Sequence, residues 1–75
     1  MKPTRAVLAI EVARRRCCRC GRRGYSVWDV CADGNRPRIL CRACDVALNR
    51  LVLRWVGDAR WREKVARYRA LVSPA

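Results

Sequence analysis

The C-terminal part of the chain places apolar residues at helical spacing. Apolar or aromatic side chains occur at positions 48, 51, 52, 55 and 56 of one stretch and at 61, 65, 68, 71 and 72 of the next. Steps of three and four residues put such side chains on one face of a helix, so the pattern predicts helices over residues 45–56 and 59–72. Between them, Gly57 favours a helix end and Asp58 can cap the second helix.

The middle of the chain predicts a β-hairpin over residues 25–40. Two β-prone stretches, residues 25–30 and 38–40, flank the sequence Asp33-Gly34-Asn35. An Asp-Gly pair between two such stretches is a strong local signal for a tight antiparallel turn. We therefore expect the two stretches to pair as neighbouring strands.

The N-terminal segment, residues 1–16, has a pattern that fits two structures. Apolar residues at positions 8, 10 and 12 alternate as in a strand, whereas the Ala, Arg and Glu content favours a helix. We predict a helix here. This segment, residues 17–56 and a C-terminal helical segment over residues 57–75 should form a single domain, because 75 residues leave no room for a second core.

Composition then narrows the chemistry. The chain contains six cysteines and no histidine. The absence of imidazole excludes a Ser-His-Asp triad and a histidine-liganded metalloprotease. A chain of this length also buries only about 60% of its unfolded surface, so it needs a disulfide or metal staple for stability.

The cysteine spacing favours a metal site over disulfides. Cys17 and Cys20 form one C-x2-C pair, and Cys41 and Cys44 form a second, a pattern typical of structural zinc sites. Residues 1–16 lack the features of a secretory signal, so we expect a cytoplasmic protein with reduced thiols. Four thiolates would hold one structural Zn²⁺ per chain and leave no open coordination position. A disulfide framework is the alternative.

Two cysteines remain outside these pairs. Cys18-x-Cys20 is too short a spacing for a normal zinc knuckle. We interpret Cys31 as a small buried apolar residue, with a reactive thiol as the alternative.

The order of the parts predicts a known way of building around zinc. A knuckle at residues 17–21 is followed by a hairpin and then by a helix that the second cysteine pair opens. This order is that of a treble clef. The expected fold class is thus a small α+β zinc-binding domain, a treble clef followed by a C-terminal helix.

The charge of the chain indicates a polyanionic partner. Lysine and arginine total 18 against 6 acids, which gives a formal net charge of +12. Arginine forks bind phosphate, so the arginines near the knuckle, the hairpin return and the helix start are candidate nucleic-acid contacts. These candidates are Arg14, Arg15, Arg16, Arg19, Arg22, Arg23, Arg36, Arg38 and Arg42. A solvated charged face or an acidic protein partner is the alternative interpretation.

Residues 38–49, Arg-Ile-Leu-Cys-Arg-Ala-Cys-Asp-Val-Ala-Leu-Asn, resemble the second zinc pair and following helix of the recombination endonuclease VII family. This family is an HNH-like, ββα-metal nuclease group common in phages. The resemblance implies a DNA-binding protein of phage or mobile-element type that dimerises through its helices.

The sequence departs from that family at the catalytic residues. The family's hairpin carries an Asp-His pair in which the histidine activates water, but here Asp29 is followed by Val30. If the protein is an enzyme, Asp29 and Asp45 are its candidate catalytic residues, as ligands for Mg²⁺ in a metal-dependent endonuclease. A general base contributes about 10²–10⁴-fold, so its absence predicts a non-catalytic protein. The plainer interpretation of Asp45 is a first-turn carboxylate that stabilises the helix by about 1 kcal/mol or less.

Residues 45–56 are apolar on nearly every side of the predicted helix. A small domain cannot easily cover all of this surface, which predicts a homodimer or a protein partner bound through Leu48, Leu51, Val52 and Trp55. A small adaptor or inhibitor of a host protein is one further interpretation. A ribosome-associated zinc protein is another, because residues 19–25 and 40–44 resemble the zinc-binding form of a small-subunit ribosomal protein. No apolar run reaches the roughly 18 residues of a membrane span.

Overall fold

A computed structural model describes the backbone of residues 5–72 and the side chains of residues 10–72. Its elements, in chain order, are α1 (Arg5–Arg14), β1 (Ser26–Val30), β2 (Arg36–Leu40), α2 (Arg42–Trp55) and α3 (Trp61–Val72). They form a small α+β fold with a two-stranded hairpin, as predicted. Over residues 5–72 no helix has both the length and the apolar character that crossing a bilayer requires.

The N-terminal segment, whose pattern fits either a strand or a helix, forms helix α1, as predicted. Its C-terminal end lies against Gly24, whose N–H donates to the carbonyl oxygen of Arg15 at 2.8 Å. A Cβ atom at Gly24 would lie 2.3 Å from the carbonyl oxygen of Val12 and 2.6 Å from Cγ2 of Ile39. Only glycine therefore allows α1 and β2 to approach the chain from both sides here.

The hairpin pairs β1 and β2 as antiparallel strands, with Ser26 opposite Leu40 and Val30 opposite Arg36. The connection is longer than a two-residue turn: a single 3-10 turn over Cys31–Asp33 precedes two residues in left-handed conformation. These are Gly34, with φ 65°, and Asn35, with φ 59°. Both residue types tolerate positive φ, which explains why the Asp-Gly-Asn sequence correctly located the turn.

Helix α2 begins at Arg42, three residues before the start at residue 45 that the apolar pattern predicts. Cys41 acts as its N-cap, because its Sγ accepts the backbone N–H of Cys44. At the other end Gly57 has φ 74°, and the next residue, Asp58, donates its N–H back to the carbonyl oxygen of Leu53 at 3.0 Å. This is the glycine-terminated helix end that the sequence predicts.

Helix α3 begins at Trp61, and the side chain of Asp58 caps the approach to it by accepting the N–H of Arg60 at 2.8 Å. The capping role predicted for Asp58 is thus observed. A second carboxylate oxygen of Asp58 pairs with Lys64, which with the Arg60 N–H holds the pKa of Asp58 below its usual value. The turn between α2 and α3 is therefore fixed by one glycine and one aspartate.

Buried apolar side chains form two small clusters among the described residues. One lies beside the hairpin and contains Cys17, Leu40 and Cys41, with Trp28, Cys44 and Leu48 packed against it. The other joins α2 to α3 and contains Val46, Val65 and Val72, with Leu53, Trp61 and Tyr68 packed against it. The core is therefore divided, with cysteines at the centre of one half.

Candidate metal centre and its surroundings

The chain turns sharply at residues 17–21, where the first cysteine pair lies. The N–H of Gly21 donates to the carbonyl oxygen of Cys17 at 3.0 Å, and Gly21 has φ 75°. An isolated antiparallel bridge between Arg16 and Arg23 closes the base of this turn. The N–H of Cys18 donates to the carbonyl oxygen of Ile39 at 2.9 Å, so the turn is held against β2.

The four paired cysteines come together at one point. The Sγ atoms of Cys17, Cys20, Cys41 and Cys44 all lie within 4.8 Å of one another. A tetrahedral site with Zn–S distances of about 2.3 Å requires sulfur atoms roughly 3.8 Å apart, so the cluster has the dimensions of a metal site. The spacing of the two C-x2-C pairs correctly indicated which four of the six cysteines meet.

The local electrostatics also fit a cation. Burial acts to raise the pKa of the Cys17 thiol, but three backbone N–H groups outweigh it and lower this pKa to about 6. The pKa of Cys44 is instead raised to about 12, first through its hydrogen bond with the Cys41 thiol. Sulfur atoms this close together cannot all ionise in the absence of a positive charge, and a metal ion at their centre would supply that charge.

The two remaining cysteines lie on the surface. Cys18 is exposed beside the knuckle, outside the four-sulfur cluster. Cys31 is also exposed, so its interpretation as a buried apolar residue is wrong. It begins the 3-10 turn that connects the strands at the end of the hairpin, where the described residues place no helix or strand over it.

Asp45 is the residue whose role the sequence understated most. It lies in the first turn of α2 as predicted, but it is only 2% exposed. One carboxylate oxygen accepts the hydroxyl of Ser26 at 2.8 Å and the indole N–H of Trp28 at 2.9 Å, and the other accepts the hydroxyl of Tyr68. Asp45 therefore connects β1, α2 and α3 at the boundary between the two core clusters.

Tyr68 completes this connection from α3. Burial raises the pKa of Tyr68 above its usual value, and the hydrogen bond to Asp45 raises it further. The tyrosine therefore stays a hydrogen-bond donor over the physiological pH range. The sequence carried only one signal for this network. It is the polar residue Asp45 on the otherwise apolar face of the predicted helix.

The two candidate catalytic carboxylates do not meet. Ser26 and Trp28 of β1 face Asp45, and Asp29 lies at the next position along the strand. Successive side chains of a strand point to opposite faces, so Asp29 faces away from Asp45, and it is exposed. Asp29 and Asp45 therefore do not form the paired metal site that the endonuclease resemblance implied for them.

The nine candidate nucleic-acid arginines are all exposed, and three of them line one cleft. Arg22 and Arg23, which directly follow the knuckle, and Arg42 from the start of α2 line a cleft of about 580 Å³ that also contacts Cys41. The Arg42 guanidinium lies 5.1 Å from the ring centroid of Tyr25, which holds it at the edge of the cleft. The knuckle and the helix start thus converge beside the cysteine cluster. Arg38 instead pairs with Asp33 on the hairpin.

The apolar surface of α2 is smaller than predicted. Leu51, Val52 and Trp55 are 61%, 40% and 87% exposed, whereas Leu48 packs into the cysteine-centred cluster. Leu48 is therefore part of the core and not of this surface. A homodimer or protein partner bound through the other three residues stays a prediction.

A second group of arginines was not singled out by the sequence. Arg50 and Arg54 of α2 and Arg62 of α3 surround the ring of Trp61. The four-residue spacing of Arg50 and Arg54 places them on one helix face, but only the packing of α3 on α2 brings Trp61 between them.

Comparisons of this chain with protein-family models, with curated proteins and with solved structures found no match.

Proposed function

We propose that this protein is a zinc-binding treble-clef domain that binds nucleic acid through its knuckle face and catalyses no reaction. The observation that carries the proposal is the cleft beside the cysteine cluster, where Arg22, Arg23 and Arg42 converge. The residues that neighbour the metal ligands in the sequence would then also form the phosphate-binding surface.

In this proposal the metal is zinc, held by Cys17, Cys20, Cys41 and Cys44. Four thiolates satisfy zinc completely, so the ion supports the fold and offers no position for substrate or water. The complex of Zn²⁺ with four thiolates carries a charge of about −2, which leaves the chain strongly basic. Such a site persists in a reducing compartment such as the cytoplasm, where cysteine thiols are not oxidised to disulfides.

The distribution of acids supports a phosphate ligand on the knuckle face. Over residues 10–72, the ion pairs are Arg38 with Asp33, Arg60 with Glu63, and Lys64 with Asp58. None of them involves an arginine of the cleft. Unpaired guanidinium groups around a concave surface attract polyanions and bind phosphate oxygens in pairs.

DNA is the nucleic acid we expect first, because the chain resembles endonuclease VII in residues 38–49. That resemblance also favours a phage or mobile-element origin. The absence of a base next to Asp29, together with the burial of Asp45 in a structural network, favours binding without cleavage.

We expect replacement of the three cleft arginines by glutamine, in the variant Arg22→Gln/Arg23→Gln/Arg42→Gln, to weaken duplex DNA binding and flatten its salt dependence. Each phosphate contact contributes about −0.9 to the slope of log K against log salt, so the slope should flatten by roughly two to three units. A titration of labelled duplex at several salt concentrations measures this.

The matched control removes three exposed cations in and just before α3, in the variant Arg60→Gln/Lys64→Gln/Arg67→Gln. Two of these cations already pair with acids, so the slope should change by less than about one unit. Equal changes from both variants would show diffuse attraction and no site. Absence of binding near physiological salt would contradict the proposal and favour a protein partner.

We expect no cleavage of duplex or four-way-junction DNA with Mg²⁺ or Mn²⁺ above the level of a Cys41→Ser control. Val30 cannot accept a proton, and the exposed Asp29 lies on the face of β1 opposite to the one that contacts Asp45. An incubation series analysed on a denaturing gel measures the rate. Metal-dependent turnover that Asp29→Ala abolishes would overturn the non-catalytic assignment, and Asp29→Ala is the suitable variant because this exposed residue contributes little to the fold.

A further inference from the structure

The ring of Trp61 lies among three guanidinium groups. The guanidinium carbons of Arg50, Arg54 and Arg62 are 5.4, 5.3 and 4.6 Å from the ring centroid. All three arginines are exposed, and they come from two helices. We call Arg50, Arg54, Arg62 and Trp61 the tryptophan–arginine cluster.

Three positive charges around one ring make this cluster a candidate anion site. Each guanidinium is attracted electrostatically by the face of the aromatic ring, but the three positive charges also repel one another. The acid of α3, Glu63, pairs with Arg60 and accepts its Nε–H at 2.9 Å and its Nη2–H at 2.7 Å. An anion placed among the three guanidinium groups would remove their repulsion, and phosphate is the group whose geometry arginine forks match.

The cluster is continuous with the knuckle cleft. Ala43, which lines that cleft, also lines a groove of about 290 Å³ that runs past Ala47 to Arg50 and Arg54. Arg50 in turn lines a depression of about 210 Å³ beside Trp61. One exposed face of α2 therefore connects the two groups of arginines, with alanines between them.

The length of this face fits a nucleic-acid backbone. The twelve residues from Ala43 to Arg54 span about 17 Å along the helix. One strand of B-form DNA carries a phosphate for roughly every 3.4 Å of axis, so one duplex can reach both ends of this face. The alanines leave space for the backbone to approach the helix between the two groups of arginines.

We propose that the tryptophan–arginine cluster is a second phosphate-binding site for the same nucleic acid that the knuckle cleft binds. The binding surface then runs from the knuckle along α2 to α3. This inference rests on the proposed function, and it separates Arg62 from Arg60 and Lys64, which pair with Glu63 and Asp58.

The test compares two triple variants with equal loss of charge. Arg50→Gln/Arg54→Gln/Arg62→Gln should flatten the salt slope for a 16-base-pair duplex by roughly two to three units, at about 0.9 per lost contact. The Arg60→Gln/Lys64→Gln/Arg67→Gln control should change it by less than about one unit. Far-ultraviolet circular dichroism and zinc content should be unchanged in both variants, because all six side chains are exposed.

A second measurement observes the site itself. In a nuclear magnetic resonance titration with the same duplex, the indole N–H signal of Trp61, assigned with Trp61→Phe, should shift. The signal of Trp28, whose indole N–H is bound to Asp45, should stay in place. The shift of Trp61 should disappear in the cluster variant and persist in the control variant.

The outcomes separate this inference from the proposed function. One outcome would overturn the second site and leave the proposed function intact. In it, Arg22→Gln/Arg23→Gln/Arg42→Gln loses binding, Arg50→Gln/Arg54→Gln/Arg62→Gln keeps the wild-type salt slope, and the indole N–H signal of Trp61 does not shift. Equal slope changes in the cluster and control variants would also overturn the second site. If the wild-type protein fails to bind duplex at all, both proposals fall.

Discussion

Removal of the metal ion by a chelator should unfold this protein. Only six apolar residues of the described chain are buried. Two of them, Cys17 and Cys41, belong to the cysteine cluster itself. Binding of structural zinc contributes about 10–16 kcal/mol in small zinc peptides, which equals or exceeds the whole stability of a typical domain. Loss of the far-ultraviolet circular dichroism signal on chelation, and its return with Zn²⁺, would measure this effect.

The cysteine variants identify the ligands. Cys41→Ser should prevent zinc binding and folding, because its Sγ is one of the four sulfur atoms of the cluster and also caps α2. Cys18→Ser and Cys31→Ser should retain one zinc per chain, since both side chains are exposed outside the cluster. A chelated protein that still melts cooperatively would contradict the structural role of the metal. Retention of zinc by Cys17→Ser, combined with its loss from Cys18→Ser, would show that the ligand set is wrong.

Asp45→Ala should destabilise the zinc-loaded protein by about 3–5 kcal/mol. Three donors, from Ser26, Trp28 and Tyr68, lose their acceptor, and a polar group left without a partner in a buried position costs about 1–3 kcal/mol. The effect exceeds the roughly 1 kcal/mol of a helix-dipole interaction, because the carboxylate connects three elements. Urea unfolding at constant zinc concentration measures the difference in the free energy of unfolding.

Two variants make this prediction specific. Asp29→Ala removes an exposed carboxylate from the other face of β1 and should change stability by less than about 0.5 kcal/mol. Tyr68→Phe removes a single donor from the network and should have an intermediate effect of about 0.5–1.5 kcal/mol. If Asp45→Ala stays within about 1 kcal/mol of the wild-type protein, the residue is only a first-turn carboxylate, as its position in the sequence suggested.

The features that the sequence determined are local ones. Two C-x2-C pairs indicated the four cysteines that meet, because a knuckle and a helix start need only a few residues to set their geometry. The Asp33-Gly34 pair located the hairpin connection, and Gly57 located the end of α2. Both signals work because Gly34 and Gly57 have positive φ, which glycine adopts readily. Such signals depend on the conformation of one or two residues and therefore survive without knowledge of the partner elements.

The N-terminal helix marks the limit of this local information. Residues 1–16 carry a pattern that fits a strand as well as a helix, and composition alone favoured the helix now found over Arg5–Arg14. The apolar pattern alone placed the start of α2 too late, at residue 45, because its first turn is Arg-Ala-Cys and carries no apolar periodicity, whereas the cysteine pair predicted to open the helix lies at the observed start. A cysteine cap, formed only when Cys41 joins the cluster, extends the helix to Arg42.

Only the tertiary structure decided which faces meet. The burial of Asp45 follows from the simultaneous approach of β1 and α3, and the exposure of Cys31 follows from the absence of a described element beyond the hairpin end. Leu48 joins the core, whereas Trp55, on the same helix, stays 87% exposed. Trp61 contacts arginines from two helices because α3 packs against α2. Periodicity tells which residues share one face of an element, but it carries no information on what packs against that face, because packing depends on contacts between residues distant in sequence.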